Sequence, residues 1–108
     1  MLLTGQRPDG SALTLRLKTL AVGKPVTIGR GADAGVTIED ARCSRIHCAI
    51  RYWDDMFVVK DCGSRNGTFV NGKQIQVAKL SPGDVLKIGD TELTAASEES
   101  PTDVTMTR

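Results

Sequence analysis

Apolar and polar residues alternate at every second position through much of this chain, the period of a strand with one buried face. The clearest case is Ala12-Leu13-Thr14-Leu15-Arg16-Leu17, where Leu13, Leu15 and Leu17 share one side and Thr14 and Arg16 the other. Leucine also favours helix, but Gly23 and Pro25 close the segment too early for one. Residues 1–4 predict a short edge strand, joined to this one through the turn signal Pro8-Asp9-Gly10-Ser11. Val26-Thr27-Ile28 and Val36-Thr37-Ile38 predict short strands on either side of a glycine-rich loop. Residues 46–53 predict a longer strand, turned at Asp54-Asp55 into a partner over 56–61, with Trp53 and Phe57 as core or strand-covering side chains. Gln74-Ile75-Gln76-Val77 predicts another short strand. After the turn Leu80-Ser81-Pro82-Gly83-Asp84, residues 85–88 and 91–95 form a hairpin across Gly89-Asp90. Many short strands without a convincing amphipathic helix or an internal repeat indicate an all-β sandwich.

Between the strands, the stretch Cys62-Gly63-Ser64-Arg65-Asn66-Gly67-Thr68-Phe69-Val70-Asn71-Gly72 places two Asn-Gly pairs around the apolar couple Phe69-Val70. It reads as a tight turn, a very short strand and a second tight turn, because Asn and Gly both tolerate positive φ. So little chain cannot bury much; it can hold amides, hydroxyls and a guanidinium in fixed directions at the rim of a β-structure.

Composition narrows the function. With 108 residues the chain fits one domain, and its few aromatics leave a core built from Val, Ile and Leu. A net charge of +1 lacks the broad basic footprint of a protein that binds nucleic acid through its phosphates. No apolar run is long enough for a bilayer, and the first residues do not read as a signal peptide or anchor. Three cysteines, Cys43, Cys48 and Cys62, favour reduced thiols and a cytoplasmic setting, or a nuclear one if the source is eukaryotic. From Ser97 onward the chain lacks apolar mass, which divides it into an ordered domain over 1–97 and a flexible acidic, threonine-rich tail over 98–108.

Arg30, Ser44, Arg45 and Asn66 all fall at predicted strand ends, and if those ends share one end of the sandwich they converge. A forked guanidinium, a compact hydroxyl and loop amides suit a phosphate. A phosphorylated side chain carries about −1.5 to −2 charges near neutral pH and three acceptor oxygens for such donors. Taken in order, Gly29-Arg30, Ser44-Arg45-Ile46-His47, Ser64 to Gly72 and Leu80 to Gly89 resemble the signature of the forkhead-associated (FHA) domain, over about residues 1–97. The resemblance implies a β-sandwich of two mostly antiparallel sheets with ligand loops at one end, which recognises phosphothreonine in a partner protein downstream of a Ser/Thr kinase. On it, Arg30 and Ser44 match phosphate-binding positions, with Arg45 a neighbouring contributor. Asn66 matches the residue that holds the peptide backbone, and Arg65 beside it a contact to peptide or phosphate. His47 matches a buttress of the loops, and Gly29, Gly67, Asn71 and Gly72 match turn positions. Preference for threonine over serine would come from one methyl in a small pocket, worth about 0.8 kcal/mol by transfer, together with a rigid fit. Gly35 stands where many relatives carry Asp, which would loosen that loop.

Other readings compete with this one. A nucleophile or a metal site would draw on His47 with Cys43 or Cys62, but adjacent strand residues His47 and Cys48 would face opposite ways. The cysteine spacings also match no zinc motif, so no catalytic residue, metal or cofactor is expected. The runner-up is an assembly module on the same fold that binds partners without phosphate. Thr102, Thr105 and Thr107, after acidic Glu98 and Glu99, suggest self-association through a phosphorylated tail, against the plainer reading of a linker.

Overall fold

The structure is a computed structural model and describes residues 1–7, 9–17, 24–54 and 56–97. The proposed tail over 98–108, with Thr102, Thr105 and Thr107, lies outside the described residues, as do Pro8 and Asp55 of two expected turns. Strands follow one another as β1 (Leu2–Gln6), β2 (Ala12–Arg16), β3 (Val26–Gly29), β4 (Val36–Thr37), β5 (Cys48–Trp53) and β6 (Met56–Asp61). Then come β7 (Thr68–Val70), β8 (Lys73–Ile75), β9 (Val77–Leu80), β10 (Val85–Ile88) and β11 (Thr91–Ala96). They build two sheets, ordered β2-β1-β11-β10-β7-β8 and β4-β3-β5-β6-β9. Every pairing is antiparallel except that of β3 with β4.

The alternation in the sequence is the alternation of faces. In β2, Leu13 and Leu15 are buried while Ala12, Thr14 and Arg16 are exposed; in β11, Thr91, Leu93 and Ala95 are buried between exposed neighbours. Leu3, Leu86, Ile88 and Leu93 from the first sheet meet Ile28, Ile50, Val59 and Leu80 from the second in one aliphatic core. Close packing of β-branched and leucine side chains is what holds the two layers face to face.

Several elements differ from the pattern-based reading, each for a physical reason. β1 is not an edge strand: it lies between β2 and β11, with Leu3 fully buried, and β2 forms the edge. The run 74–77 is two strands in different sheets. Ile75 ends β8 against β7, Val77 begins β9 against β6, and the carbonyl of Gln76 at the crossing accepts the Asp61 N–H. Trp53 is 64% exposed and is no core residue, because it occupies an outward position of β5 while Phe57 points inward. Ile46 and His47 precede β5. His47 is buried like Cys48, its ring bonded to loop backbone at Ser44 and Gly67 while Cys48 joins the aliphatic core.

The two Asn-Gly pairs also behave differently. Asn71 (φ 53) and Gly72 (φ 81) form the two-residue loop between β7 and β8, with both residues left-handed as a type I′ turn requires. In the first pair only Gly67 (φ 90) is left-handed, and no hairpin is formed there. Asn71 is tied down further. Its Nδ2 donates to Asp84 Oδ1 at 3.0 Å, and its Oδ1 accepts the Val85 N–H at 3.0 Å. Asn71→Ala loses both bonds and strains the backbone, whereas Asn71→Gly loses the bonds alone. In chemical denaturation Asn71→Ala should cost about 1–3 kcal/mol and Asn71→Gly about 1 kcal/mol less than that.

Candidate functional site

At one end of the sandwich the loop after β3, the loop before β5 and the loop between β6 and β7 meet. Gly29 closes β3 with its α-carbon so near the Arg45 carbonyl that a side chain there would collide with backbone. That approach lets the Arg30 N–H donate to the Ser44 carbonyl at 2.9 Å and the Gly31 N–H to the Arg45 carbonyl at 3.0 Å. Arg30 is held at its side chain as well, since Nε donates to the Cys43 carbonyl at 3.0 Å. Its terminal guanidinium nitrogens have no partner among the described residues. In the following loop the Gly35 N–H donates to Thr27 Oγ1 at 2.8 Å.

His47 joins the other two loops. The ring is fully buried, and Nδ1 accepts the Ser44 N–H at 3.1 Å. Nε2 therefore carries the proton and donates to the Gly67 carbonyl at 2.8 Å. Ser44 Oγ meanwhile accepts the Arg65 N–H at 2.9 Å, which leaves its own proton to donate outward. Across the same gap Asn66 Nδ2 donates to the Arg42 carbonyl at 2.8 Å.

Two carboxylates that the sequence reading did not single out brace the loops from behind. Asp61 accepts from the Gly63 and Ser64 N–H groups, the Ser64 hydroxyl and the Thr68 hydroxyl. The Ser64 hydroxyl in turn accepts the Gly67 N–H at 3.0 Å. Asp40, 2% exposed, accepts from the Arg42 and Asp90 N–H groups and from Thr91 Oγ1, so it pins the loop before β5 to the β10–β11 turn. For both acids burial pushes the pKa up, but the hydrogen bonds outweigh it and hold the carboxyl below the usual range. A signal for Asp61 was present in the sequence, as Asp followed by Gly63-Ser64 is the pattern of a side chain that closes its own turn.

All five expected ligand residues, Arg30, Ser44, Arg45, Arg65 and Asn66, line one open depression of about 230 Å³ together with residues 41–43. Arg42, also on this rim, was not anticipated. Arg45 reaches Asp33 at 3.8 Å and Arg42 reaches Asp90 at 3.4 Å, in exposed pairs that contribute little to stability. Most of the loop amides suggested for the phosphate are used inside the protein: those of Arg30, Gly31, Ser44, Arg65 and Gly67 all donate to protein oxygens or to His47. The outward-facing set is thus made chiefly of side chains. It can hold a compact dianion: a guanidinium oriented by Cys43, a hydroxyl oriented by Arg65, and further arginines around them.

The same geometry bears on nucleophilic chemistry. Both nitrogens of His47 are committed to backbone groups, and burial pushes the Cys43 thiol up to about 12, with Asp40 and Asp90 adding to the shift. Among the described residues no group of three or more His, Cys, Asp and Glu side chains is placed to hold a metal ion.

Comparison with known proteins agrees with this architecture. The family model described as FHA domain matches residues 26–89. FhaA of Mycobacterium tuberculosis, an FHA domain-containing protein, is 37% identical over 91 residues, which span 84% of this chain and 16% of FhaA. The glycogen accumulation regulator GarA of Mycolicibacterium smegmatis is 36% identical over 89 residues, 76% of this chain and 56% of GarA. The chain therefore matches only about half of one relative and a small part of the other. A solved structure from work on phosphothreonine-dependent FHA domain interactions superposes with a TM-score of 0.71 at 32% identity, covering 91% of this chain and 98% of its own.

Two measurements probe the loop supports. The depressed pKa of Asp61 means its stabilisation is complete above the unfolded-state value of about 4 and is lost as pH falls through the lower folded value. Asp61→Asn should therefore cost about 1–3 kcal/mol at pH 7 in denaturant titrations, and the gap to the parent protein should narrow as the pH falls below the unfolded-state value. His47→Ala leaves the Ser44 N–H and the Gly67 carbonyl without their partner, and should cost about 2–4 kcal/mol by the same method, with faster hydrogen exchange in both loops.

Proposed function

The chain belongs to the FHA domain family, and we propose that it is a non-enzymatic reader of phosphothreonine, recruiting partners that a Ser/Thr kinase has phosphorylated. The observation that carries this reading is the convergence of Arg30, Ser44 and Asn66, from three separate loops, on one depression. Arg30 supplies charge-assisted bonds to the phosphate and Ser44 a hydroxyl proton, while Asn66, already oriented by the Arg42 carbonyl, offers its remaining amide groups to the peptide backbone. Arg45, Arg65 and Arg42 add positive potential at the rim and contacts to flanking residues. Gly29, His47 and Gly67 shape the ligand loops without touching the ligand, and Asn71 and Gly72 form the β7–β8 turn at the other end of β7. Residues 1–97 are taken as the recognition module. Among the described residues no helix is long and apolar enough to cross a membrane, and we assign the module to the cytoplasm, where protein kinases act.

Calorimetric titration with peptide pools containing phosphothreonine, phosphoserine or unphosphorylated threonine tests the reading. Binding should be confined to the phosphothreonine pool. Loss of one charge-assisted contact, about 1.5–3 kcal/mol, should make Arg30→Ala roughly ten- to a hundredfold weaker. Absence of phosphate-dependent heat from the folded protein would instead favour an assembly module that binds its partners without phosphate.

A further inference from the structure

Away from the loops, the outer face of the β4-β3-β5-β6-β9 sheet is not an ordinary solvated surface. Alternation along the strands turns Ala49, Arg51 and Trp53 of β5, Met56, Val58 and Lys60 of β6, and Val77 and Lys79 of β9 outward, while Ile50, Phe57, Val59 and Leu80 turn into the core. The register sets them in rows: Trp53 beside Met56, Arg51 beside Val58 beside Lys79, and Ala49 beside Lys60 beside Val77. Trp53 at 64% and Val77 at 58% exposure are the large apolar side chains most open to solvent among the described residues, and both lie on this face. The Arg51 guanidinium lies over the Trp53 ring, 5.6 Å from its centroid. These outward positions carry three cations and no carboxylate. Of the described acids, Asp54 follows Trp53 in the β5–β6 turn, and Asp84 beyond β9 is close enough to Lys79 for that charge to help hold its carboxyl below the usual range.

We propose that this face is a second docking surface, for an acidic polypeptide segment that also carries apolar side chains. Three cations on a chain of net charge +1 form a local field of one sign, and charge complementarity selects an acidic partner. Cation and apolar group alternate along the rows Arg51-Val58-Lys79 and Ala49-Lys60-Val77, and the Trp53-Met56 row beside them is apolar. Exposed Trp and Arg are among the residue types that anchor protein interfaces, and here they adjoin along β5. A nucleic acid would need phosphate contacts over many more charges, and a polybasic membrane-binding cluster about four to eight. The face is separate from the phosphate loops. Trp53 closes β5 five residues beyond Cys48, about 17 Å along the strand from the end that meets the site. It therefore binds with or without a phosphothreonine in the loops, and a partner that engages both surfaces gains the effective concentration of a tethered second contact.

Trp53 is the chain's single tryptophan, so its fluorescence reports this face alone. The probe is a peptide alternating glutamate and leucine, compared with a lysine-leucine peptide, an anionic phosphatidylserine vesicle and a single-stranded oligonucleotide. The acidic peptide should change the Trp53 emission in a saturable way and weaken at least about fivefold between roughly 50 and 300 mM salt. It should bind at least about tenfold more weakly to the Arg51→Glu/Lys79→Glu protein and equally well to Arg30→Ala. Amide shift mapping on the unaltered protein should place the changes on β5, β6 and β9, which keeps the test independent of whether the double variant folds. No saturable response to the acidic peptide, shifts confined to the phosphate loops, or tighter binding of vesicle or oligonucleotide than of peptide would each overturn the proposal. None of these readouts contains phosphothreonine, so failure here leaves the phosphate reading untouched, and the reverse holds equally.

Discussion

The arrangement of the loops depends on one buried imidazole. His47 accepts from the backbone of the loop before β5 and donates to the backbone of the loop before β7, so two segments twenty residues apart in sequence are held at a fixed separation by a single rigid ring. A flexible side chain would lose conformational entropy to do the same, and a residue with only one polar atom would leave a buried backbone group unpaired. Ser44 and Asn66 project from the two segments so joined. Their relative position follows from the ring more directly than from any contact between them.

The supports share a division of labour. Asp61 and Asp40 face inward and accept from backbone amides and threonine hydroxyls, which draws the loops down onto the ends of the strands. The arginines face outward, and Arg30 is oriented by a carbonyl rather than a carboxylate. An acid beside Arg30 would have neutralised the charge available to a ligand; the Cys43 carbonyl directs the guanidinium and leaves its charge intact. Hydrogen bonding thus sets direction, and net charge is reserved for the rim.

Much of this was legible in the sequence, and the reasons are specific. Strand alternation marked Leu13 and Leu15, because a half-buried sheet imposes period 2 on the chain that forms it. The family resemblance marked Arg30, Ser44 and Asn66 as a set, and they do line one depression, since strand ends in one sandwich emerge together. What sequence did not reveal depends on contacts between distant segments. The fully buried Leu3 and the interior place of β1 arise from pairing with β11, ninety residues later, which no local pattern encodes. The break at Gln76 is hidden because β8 and β9 run on with almost no turn residue, and only their membership of different sheets separates them. Asp40 gave little local warning, because Asp90 and Thr91, which satisfy its carboxylate, lie fifty residues downstream.

The site combines parts of different stiffness, and this bears on how a reader of phosphopeptides can be both general and selective. Ser44, Asn66 and the Nε edge of Arg30 are each fixed by a bond to backbone, so the groups proposed for the phosphate and the adjoining peptide are set before a ligand arrives. Arg42 and Arg45 are held only by exposed pairs to Asp90 and Asp33 at 3.4 and 3.8 Å. Such pairs are screened by solvent and exchange readily, so an incoming acidic group competes for either arginine at little cost. The fixed donors are therefore suited to the part of a ligand common to every target, the phosphate. On the function proposed above, Arg42 and Arg45 are the groups that would meet the part that differs between targets, so that discrimination among flanking sequences would fall to the residues least constrained by the fold.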